Sequence, residues 1–248
     1  MAEEECASGG PRAPDLTLVV PVYNEGEGAA GVMAEWTEVL RALGVSFELR
    51  VYDDGSGPET AAVLQRVARE IPEVSYRRHD NRGHGPTILR GYREAESAWI
   101  FQTDSDGEID PRGFAELWAH REAFDFLFGT RTGSGRTPFR RALTRVSCWC
   151  VGLLFGRRLA DVNTPFRLMR RDVLAVLLEL IPGDTFAPNV ILSGLAARRD
   201  VRIFERPVTF RSRADGGQGS LGGLNILGPA WLAFRQTLRA AWRVRRDG

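Results

Sequence analysis

The chain has 248 residues, 43% hydrophobic and 26% charged, as expected of an ordinary folded protein with one sizeable core or at most two small ones. A formal net charge of +1 gives no global argument for a nucleic-acid partner, although all 33 basic residues are arginine. Cys6, Cys148 and Cys150 make neither a disulfide framework nor a zinc pattern, which suits a reducing, cytoplasmic compartment.

Residues 1–15 are acidic, lack the apolar region of a secretory signal, and read as a disordered lead-in. No apolar run reaches the ~18 residues of a membrane span. Residues 16–22, LTLVVPV, are continuously apolar, as a parallel strand covered on both faces should be. A helix is expected through 27–43, a strand in FELRVYDDGS, a helix in PETAAVLQRVARE and a strand in EVSYRRHDN. The stretch GHGPTILRGYREAES should be helical in its second half, and AWIFQTD is the next strand. This alternation predicts an α/β sandwich on a mostly parallel sheet. Its ligand-facing loops belong at the C-terminal ends of the strands.

Further on, FDFLFGTR reads as a strand and PFRRALTRVSCWCVGLLFG as a helix; TPFRLMRRDVLAVLLEL reads as a short strand running into a helix. FAPNVILSGLAARR should be helical, DVRIFERPVTF a strand and RADGGQGSLGG flexible. The domain is expected to span 16–225, followed by a basic amphipathic helix in 226–248. There Trp231, Phe234, Leu238 and Trp242 have near-helical spacing, interspersed with Arg235, Arg239, Arg243, Arg245 and Arg246. Such a stripe either rests on an anionic membrane or packs into the core or an oligomer.

Three polar clusters follow expected strands. In FQTDSDGEIDP, Asp104 and Asp106 can aim two carboxylates at one hard cation, Mg²⁺ or Mn²⁺, with Glu108 able to join them. A calcium loop starting at Asp104 fails, because Gly107 falls at position 4 and Ala115 at position 12. Asp110, followed by Pro111, starts the next helix. Asp53 and Asp54 could accept hydrogen bonds from a base or ribose, or Ser56 or Gly57 could simply cap the helix at Pro58. In PVYNE, Pro21, Tyr23 and Glu25 could line a nucleotide pocket, while Asn24 and Glu25 also suit a helix start. The turn at Gly83 and Gly85 is neither a P-loop nor a dinucleotide fingerprint, since Ile88 stands at the third glycine position. Gly83 could still approach a nucleotide, and His84 could touch a base or serve an ordinary turn role. His79 and His120 have no ligand spacing.

The ordered set VVPVYNEGE, YDDGS, NRGHGPTILRGY, FQTDSDGEIDP, FGTR and DVNTPFRLMRRDVL, within about residues 17–215, resembles the large inverting family 2 glycosyltransferases. The similarity is strongest to the dolichol-phosphate (polyprenyl-phosphate) mannosyltransferase-like branch. It implies a single Rossmann-like nucleotide-diphospho-sugar transferase domain of the glycosyltransferase A type. Pro21, Tyr23, Glu25 and Asp53 would surround the nucleoside, with Asp54 in support. Asp104 and Asp106 match the family's Asp-X-Asp pair, and Glu108 stands where the branch often has Gln. Arg131 matches an acceptor-phosphate arginine, which Arg140 or Arg141 would assist. Arg213 is the basic candidate of the late FRSRADGGQGS region, where an extra glycine shifts the alignment.

Near Asn189 the branch often has Glu, and the Gln-X-X-Arg-Trp signature of processive synthases is absent, so a single transfer is the better comparison. Asp184 is either a base for a hydroxyl acceptor or the cap of the following helix. The expected partners are a nucleotide diphosphate sugar and a polyprenyl phosphate, with a soluble hydroxyl acceptor as the alternative. A non-enzymatic nucleotide-sugar sensor is the reading from a different class. An oligomer is compatible with the sequence, and so is peripheral contact with the cytoplasmic membrane face.

Overall fold

The structure, a computed structural model, describes residues 13–132, 138–211 and 227–246. Its first half alternates strictly: β1 (Leu16–Val22), α1 (Glu27–Ala42), β2 (Phe47–Asp53), α2 (Pro58–Glu70), β3 (Val74–Arg78), α3 (His84–Glu94) and β4 (Trp99–Gln102). A 3₁₀ turn at Pro111–Gly113 then leads into α4 (Phe114–His120), β5 (Phe126–Thr132) and α5 (Pro138–Phe155). The chain continues through β6 (Arg167–Arg170), α6 (Arg171–Leu178), α7 (Pro188–Arg198), β7 (Ile203–Thr209) and α8 (Leu227–Arg246).

The seven strands form one sheet in the order β3-β2-β1-β4-β6-β5-β7. Every pairing is parallel except those of β6, which runs against both β4 and β5. This single reversal brings the segment entering β6 to the same sheet edge at which β1, β2, β4 and β5 end. The expected α/β sandwich is therefore present, with one antiparallel strand inside it.

Side chains leaving the sheet on alternate faces build two cores. Leu16, Leu18, Val20 and Val22 join Met33, Trp36 and Leu40 of α1 on one face. Val19 and Tyr52 join α3 and the α5–α8 layer on the other. Behind the acidic loop, the Phe101 ring lies 5.0 Å from Trp36, 5.0 Å from Phe114 and 4.9 Å from Phe166. These offset and edge-on contacts give a stiff floor beneath β4.

Gly57 stands at the N-cap of α2, as one expectation had it, and Gly26 at that of α1, but the side-chain caps expected of Asn24 and Ser56 are not made. Instead the two loops lace together. Asn24 Oδ1 accepts from the Gly57 N–H at 2.8 Å, and Ser56 Oγ accepts from the Asn24 N–H at 3.0 Å. Asn24 adopts a left-handed conformation, φ 55°, which its short polar side chain tolerates. Helix α3 begins at His84, earlier than expected, because the Asp54 carboxylate organises the turn before it. Asp110 starts the 3₁₀ turn as expected, accepting from the Arg112 N–H at 3.0 Å. The cap expected of Asp184 is absent: α7 starts at Pro188 after Ala187, with no side-chain cap.

Helix α8 turns its stripe away from the core. Ala240, Ala241 and Val244 are the residues that enter the core, beside Val151 and Phe155 of α5. The stripe itself faces outward, with Trp231 64% and Trp242 63% exposed. No helix among the described residues is long and apolar enough to cross a membrane.

Gly129 of the FGTR segment is a packing requirement. A Cβ there would lie 2.5 Å from Phe166 Cδ1 and 2.8 Å from Val208 Cγ2. Gly129→Ala should therefore cost about 2 kcal/mol by overpacking. Urea denaturation should show a lower midpoint with an unchanged slope.

Candidate active site

Three loops converge where β2, β1 and β4 end side by side. Residues 23–26 leave β1, 54–57 leave β2 and 103–110 leave β4. The Val22↔Asp53 pairing sets the first two level. β4 pairs with β1 only as far as Val19↔Gln102, so buried Pro21 lies beyond the doubly paired stretch, where a missing N–H is tolerable. Tyr23 is 50% exposed at the rim, and Glu25 is partly buried beside it.

Asp53 and Asp54 have separate tasks. Asp53 is fully buried, accepting from the Ser56 N–H at 2.8 Å and from the Tyr76 hydroxyl at 2.7 Å. Burial, with the Asp53 carboxylate behind it, pushes the Tyr76 hydroxyl up to about 12, so the phenol stays a donor. Asp54 accepts from the Arg82 and Gly83 N–H groups at 2.7 and 2.9 Å, and His79 Nδ1 lies 3.5 Å away. Gly83 has φ 91°, which glycine adopts without strain. Gly85 packs directly against the Thr185 and Phe186 carbonyls, leaving no room for a side chain. The positive end of the α3 dipole thus opens onto the acidic loop, a setting favourable to a phosphate group.

Asp104 and Asp106 are both partly buried. Gln102 Nε2 donates to Asp104 Oδ1 at 3.0 Å, and His84 Nε2 lies 3.7 Å from the same oxygen. Asp106 Oδ1 accepts from the Glu108 N–H at 3.1 Å. Burial raises the Asp104 pKa; His84 opposes the shift and the Asp106 charge adds to it. Two carboxylates with mutually unfavourable charges and oxygen-only donors fit a hard divalent cation. Among the described residues, no three His, Cys, Asp or Glu side chains converge to hold a metal. The expected trio of Asp104, Asp106 and Glu108 is therefore not assembled. The Glu108 N–H is tied to Asp106, and its carbonyl accepts from the Arg211 N–H at 2.7 Å.

Arg131 reaches the same edge from the end of β5. Its Nε and Nη2 donate to the two oxygens of buried Asp161 at 2.6 and 2.8 Å, and its guanidinium lies 5.8 Å from the Phe210 ring centre. Asp161 was not singled out in the sequence, though it opens the DVNTPFRLMRRDVL segment. Arg141 is exposed on α5, while the Arg140 side chain and all of Arg213 lie outside the described residues. Asp184 is exposed on the loop before α7; its carbonyl accepts from Gln236 Nε2 at 3.4 Å.

Behind Asp104 runs a buried relay. Asn189 Nδ2 donates to Gln102 Oε1 at 2.9 Å, and the Tyr92 hydroxyl donates to Asn189 Oδ1 at 2.9 Å. Burial raises the Tyr92 pKa, keeping that hydroxyl protonated. Arg167 is also fully buried, donating to the Thr164 carbonyl at 2.9 Å, the Val162 carbonyl at 3.2 Å and the Asn189 carbonyl at 3.4 Å. Its guanidinium lies 4.8 Å from the Phe128 ring centre, and burial lowers its pKa. The only sequence signals for these groups were polar residues inside otherwise apolar elements.

Asp161→Asn should weaken the clasp on Arg131 and destabilise the fold by about 3 kcal/mol, as loss of one member of a mostly buried pair does. Asn189→Leu should free Gln102 and disorder Asp104 with smaller effect on the fold. Urea midpoints, compared with turnover on any accepted donor, separate the two outcomes.

The sequence profile described as glycosyl transferase family 2 matches residues 17–178. Undecaprenyl-phosphate 4-deoxy-4-formamido-L-arabinose transferases of Salmonella paratyphi B and Salmonella newport are each 26% identical over 191 residues, covering 76% of this chain. The chain spans 58% of the length of these curated relatives. Its fold is similar to glucosyl-3-phosphoglycerate synthase from Mycobacterium tuberculosis, solved with Mn²⁺, UDP and phosphoglyceric acid. The TM-score is 0.65 at 18% identity, over 92% of this chain and 78% of that one. It is also similar to a mannosyltransferase from Pyrobaculum calidifontis in complex with GDP-Man and Mn²⁺. There the TM-score is 0.59 at 18% identity, over 94% of this chain and 74% of the other. The match over residues 17–178, carried on a mostly parallel seven-stranded sheet, means that the chain belongs to glycosyl transferase family 2.

Proposed function

We propose that the protein transfers one sugar from a nucleotide diphosphate sugar to a polyprenyl phosphate, with inversion at the anomeric carbon. The observation that carries this reading is the meeting of two opposite charges at one sheet edge. Asp104 and Asp106 stand beyond the end of β4, and Arg131, clasped by Asp161, stands at the end of β5; the carboxylates would hold a cation for a donor diphosphate, and the arginine would meet an anionic acceptor. The undecaprenyl phosphate named for the Salmonella relatives supports the same acceptor class.

Asp104 and Asp106 would hold Mg²⁺ or Mn²⁺, with Glu108 adjoining. Such an ion neutralises the diphosphate and acts as a Lewis acid on its leaving oxygen. Pro21, Tyr23 and Glu25 wall the nucleoside, with Asp53 shaping that wall from beneath and Asp54 fixing the turn at Gly83. The Gln102–Asn189–Tyr92 relay holds Asp104 in place. An acceptor phosphate is already ionised near neutral pH. Its oxygen bonds to the anomeric carbon as the bond to the diphosphate oxygen breaks, and the electron pair leaves with the nucleoside diphosphate. Arg131, through the donors that Asp161 leaves free, and Arg213 would orient that acceptor. No protein base is needed.

A soluble hydroxyl acceptor is the second reading, favoured by the likeness to the synthase solved with phosphoglyceric acid. It would require a base, and Asp184 is the candidate.

Substituting Asn for both Asp104 and Asp106 should lower turnover at least about a hundredfold, by loss of charge stabilisation, with circular dichroism unchanged. Asp184→Ala should leave transfer to a polyprenyl phosphate near the parent rate. A fall of about a hundredfold in transfer to a hydroxyl acceptor would favour that acceptor and its base. Nucleotide sugars crossed with lipid-phosphate and hydroxyl acceptors in Mg²⁺ or Mn²⁺, with products weighed by mass spectrometry, identify donor and acceptor directly.

A further inference from the structure

Helix α5 carries an outward apolar stripe of its own. Leu143, Val146, Trp149 and Leu153 recur at spacings of three and four residues, and Trp149 is 56% and Leu153 64% exposed. Its inner face, Val151 and Phe155, packs with the inner face of α8, and Arg245 Nη2 donates to the Leu154 carbonyl at 3.1 Å. Two neighbouring helices thus present unpartnered stripes rich in tryptophan. Most large exposed hydrophobic side chains of the described residues lie on this pair.

The charge of the same helices is one-sided. The segments Pro138–Phe155 and Leu227–Arg246 contain eight arginines and no acid. Since the whole chain is only +1, the remainder is net negative. This surface also borders the active site. The Phe186 N–H donates to Gln236 of α8 at 2.9 Å, and the Phe186 carbonyl lies against Gly85, next to the His84 that faces Asp104.

We infer that α5 and α8 together form a docking surface for an anionic lipid bilayer. Tryptophans and aliphatic side chains enter the interfacial layer, and arginines meet the lipid headgroups. A second copy of the chain is a poor occupant, because a two-fold contact through this face would set arginines against arginines without an acid between them. The orientation, with the cleft bordering the bilayer, rests on the lipid-linked acceptor proposed above. The docking itself is measurable without donor or acceptor.

Cosedimentation of the full chain with phosphatidylcholine vesicles, with and without phosphatidylglycerol, tests this. Binding should require the anionic lipid and weaken with salt. The α5 pair Trp149→Asp with Leu153→Asp, and the α8 pair Trp231→Asp with Trp242→Asp, should each lower the partition coefficient at least about tenfold. Brominated lipid should quench part of the tryptophan fluorescence of the unsubstituted chain, whatever the folding of the variants. Parent-like binding by the α5 pair would overturn the two-helix surface. Absence of both vesicle binding and quenching at low salt would overturn docking altogether. So would a concentration-dependent dimer that these substitutions dissolve, with no vesicle binding. Because the vesicles contain no polyprenyl phosphate, failure to dock and failure to transfer remain separate results.

Discussion

The site depends on one buried charge. Arg167 has no solvent exposure, and its guanidinium is satisfied by backbone carbonyls, the Ser193 hydroxyl and one aromatic face rather than by a paired carboxylate. Burying such a group is costly unless its donors are met. Meeting them fixes the Val162 and Thr164 carbonyls, and with them the loop that presents Asp161. It also fixes the first turn of α7, from which Asn189 reaches Gln102 and hence Asp104. Arg131 at the end of β5 and Asp104 beyond the end of β4 are therefore referenced to a single point in the interior.

The reversed strand β6 makes this geometry possible. In a wholly parallel sheet, the loop entering a strand lies at the edge opposite the ligand. Here that loop arrives beside the ends of β4 and β5, so Asp161 can meet Arg131 across it. The first half of the chain supplies acidic loops by the ordinary βαβ rule, and the second supplies Arg131 from β5 and, through this one exception, its partner Asp161. Neither half contains the whole site.

Much of this was legible in the sequence. Continuous apolar runs ending in Asn-Glu, Asp-Asp and Asp-Ser-Asp mark strands whose C-terminal ends share an edge, because parallel order leaves few alternatives. The cross-lacing of Asn24 with Gly57 was not legible, since a good cap residue beside a helix looks the same whether it caps that helix or its neighbour. Asp161 was passed over because its partner lies 30 positions away across a strand reversal that no periodicity announces. Arg167 resembled any arginine in an arginine-rich chain, and only its complete burial sets it apart. The α8 stripe was recognisable, but which face of the helix met the core depended on Ala240, Ala241 and Val244, whose small side chains carry a weaker signal than tryptophan.

The separation of charge between the α5–α8 layer and the rest of the molecule gives a near-neutral protein a sizeable electric dipole. Net charge governs how strongly a body is drawn through a field, but the dipole governs how it turns. Near any anionic surface the molecule experiences a torque before it experiences contact, within a screening length of about 10 Å at 0.1 M salt. Its angular search is shortened before any side chain touches, a kinetic advantage that an overall charge of +1 would never suggest.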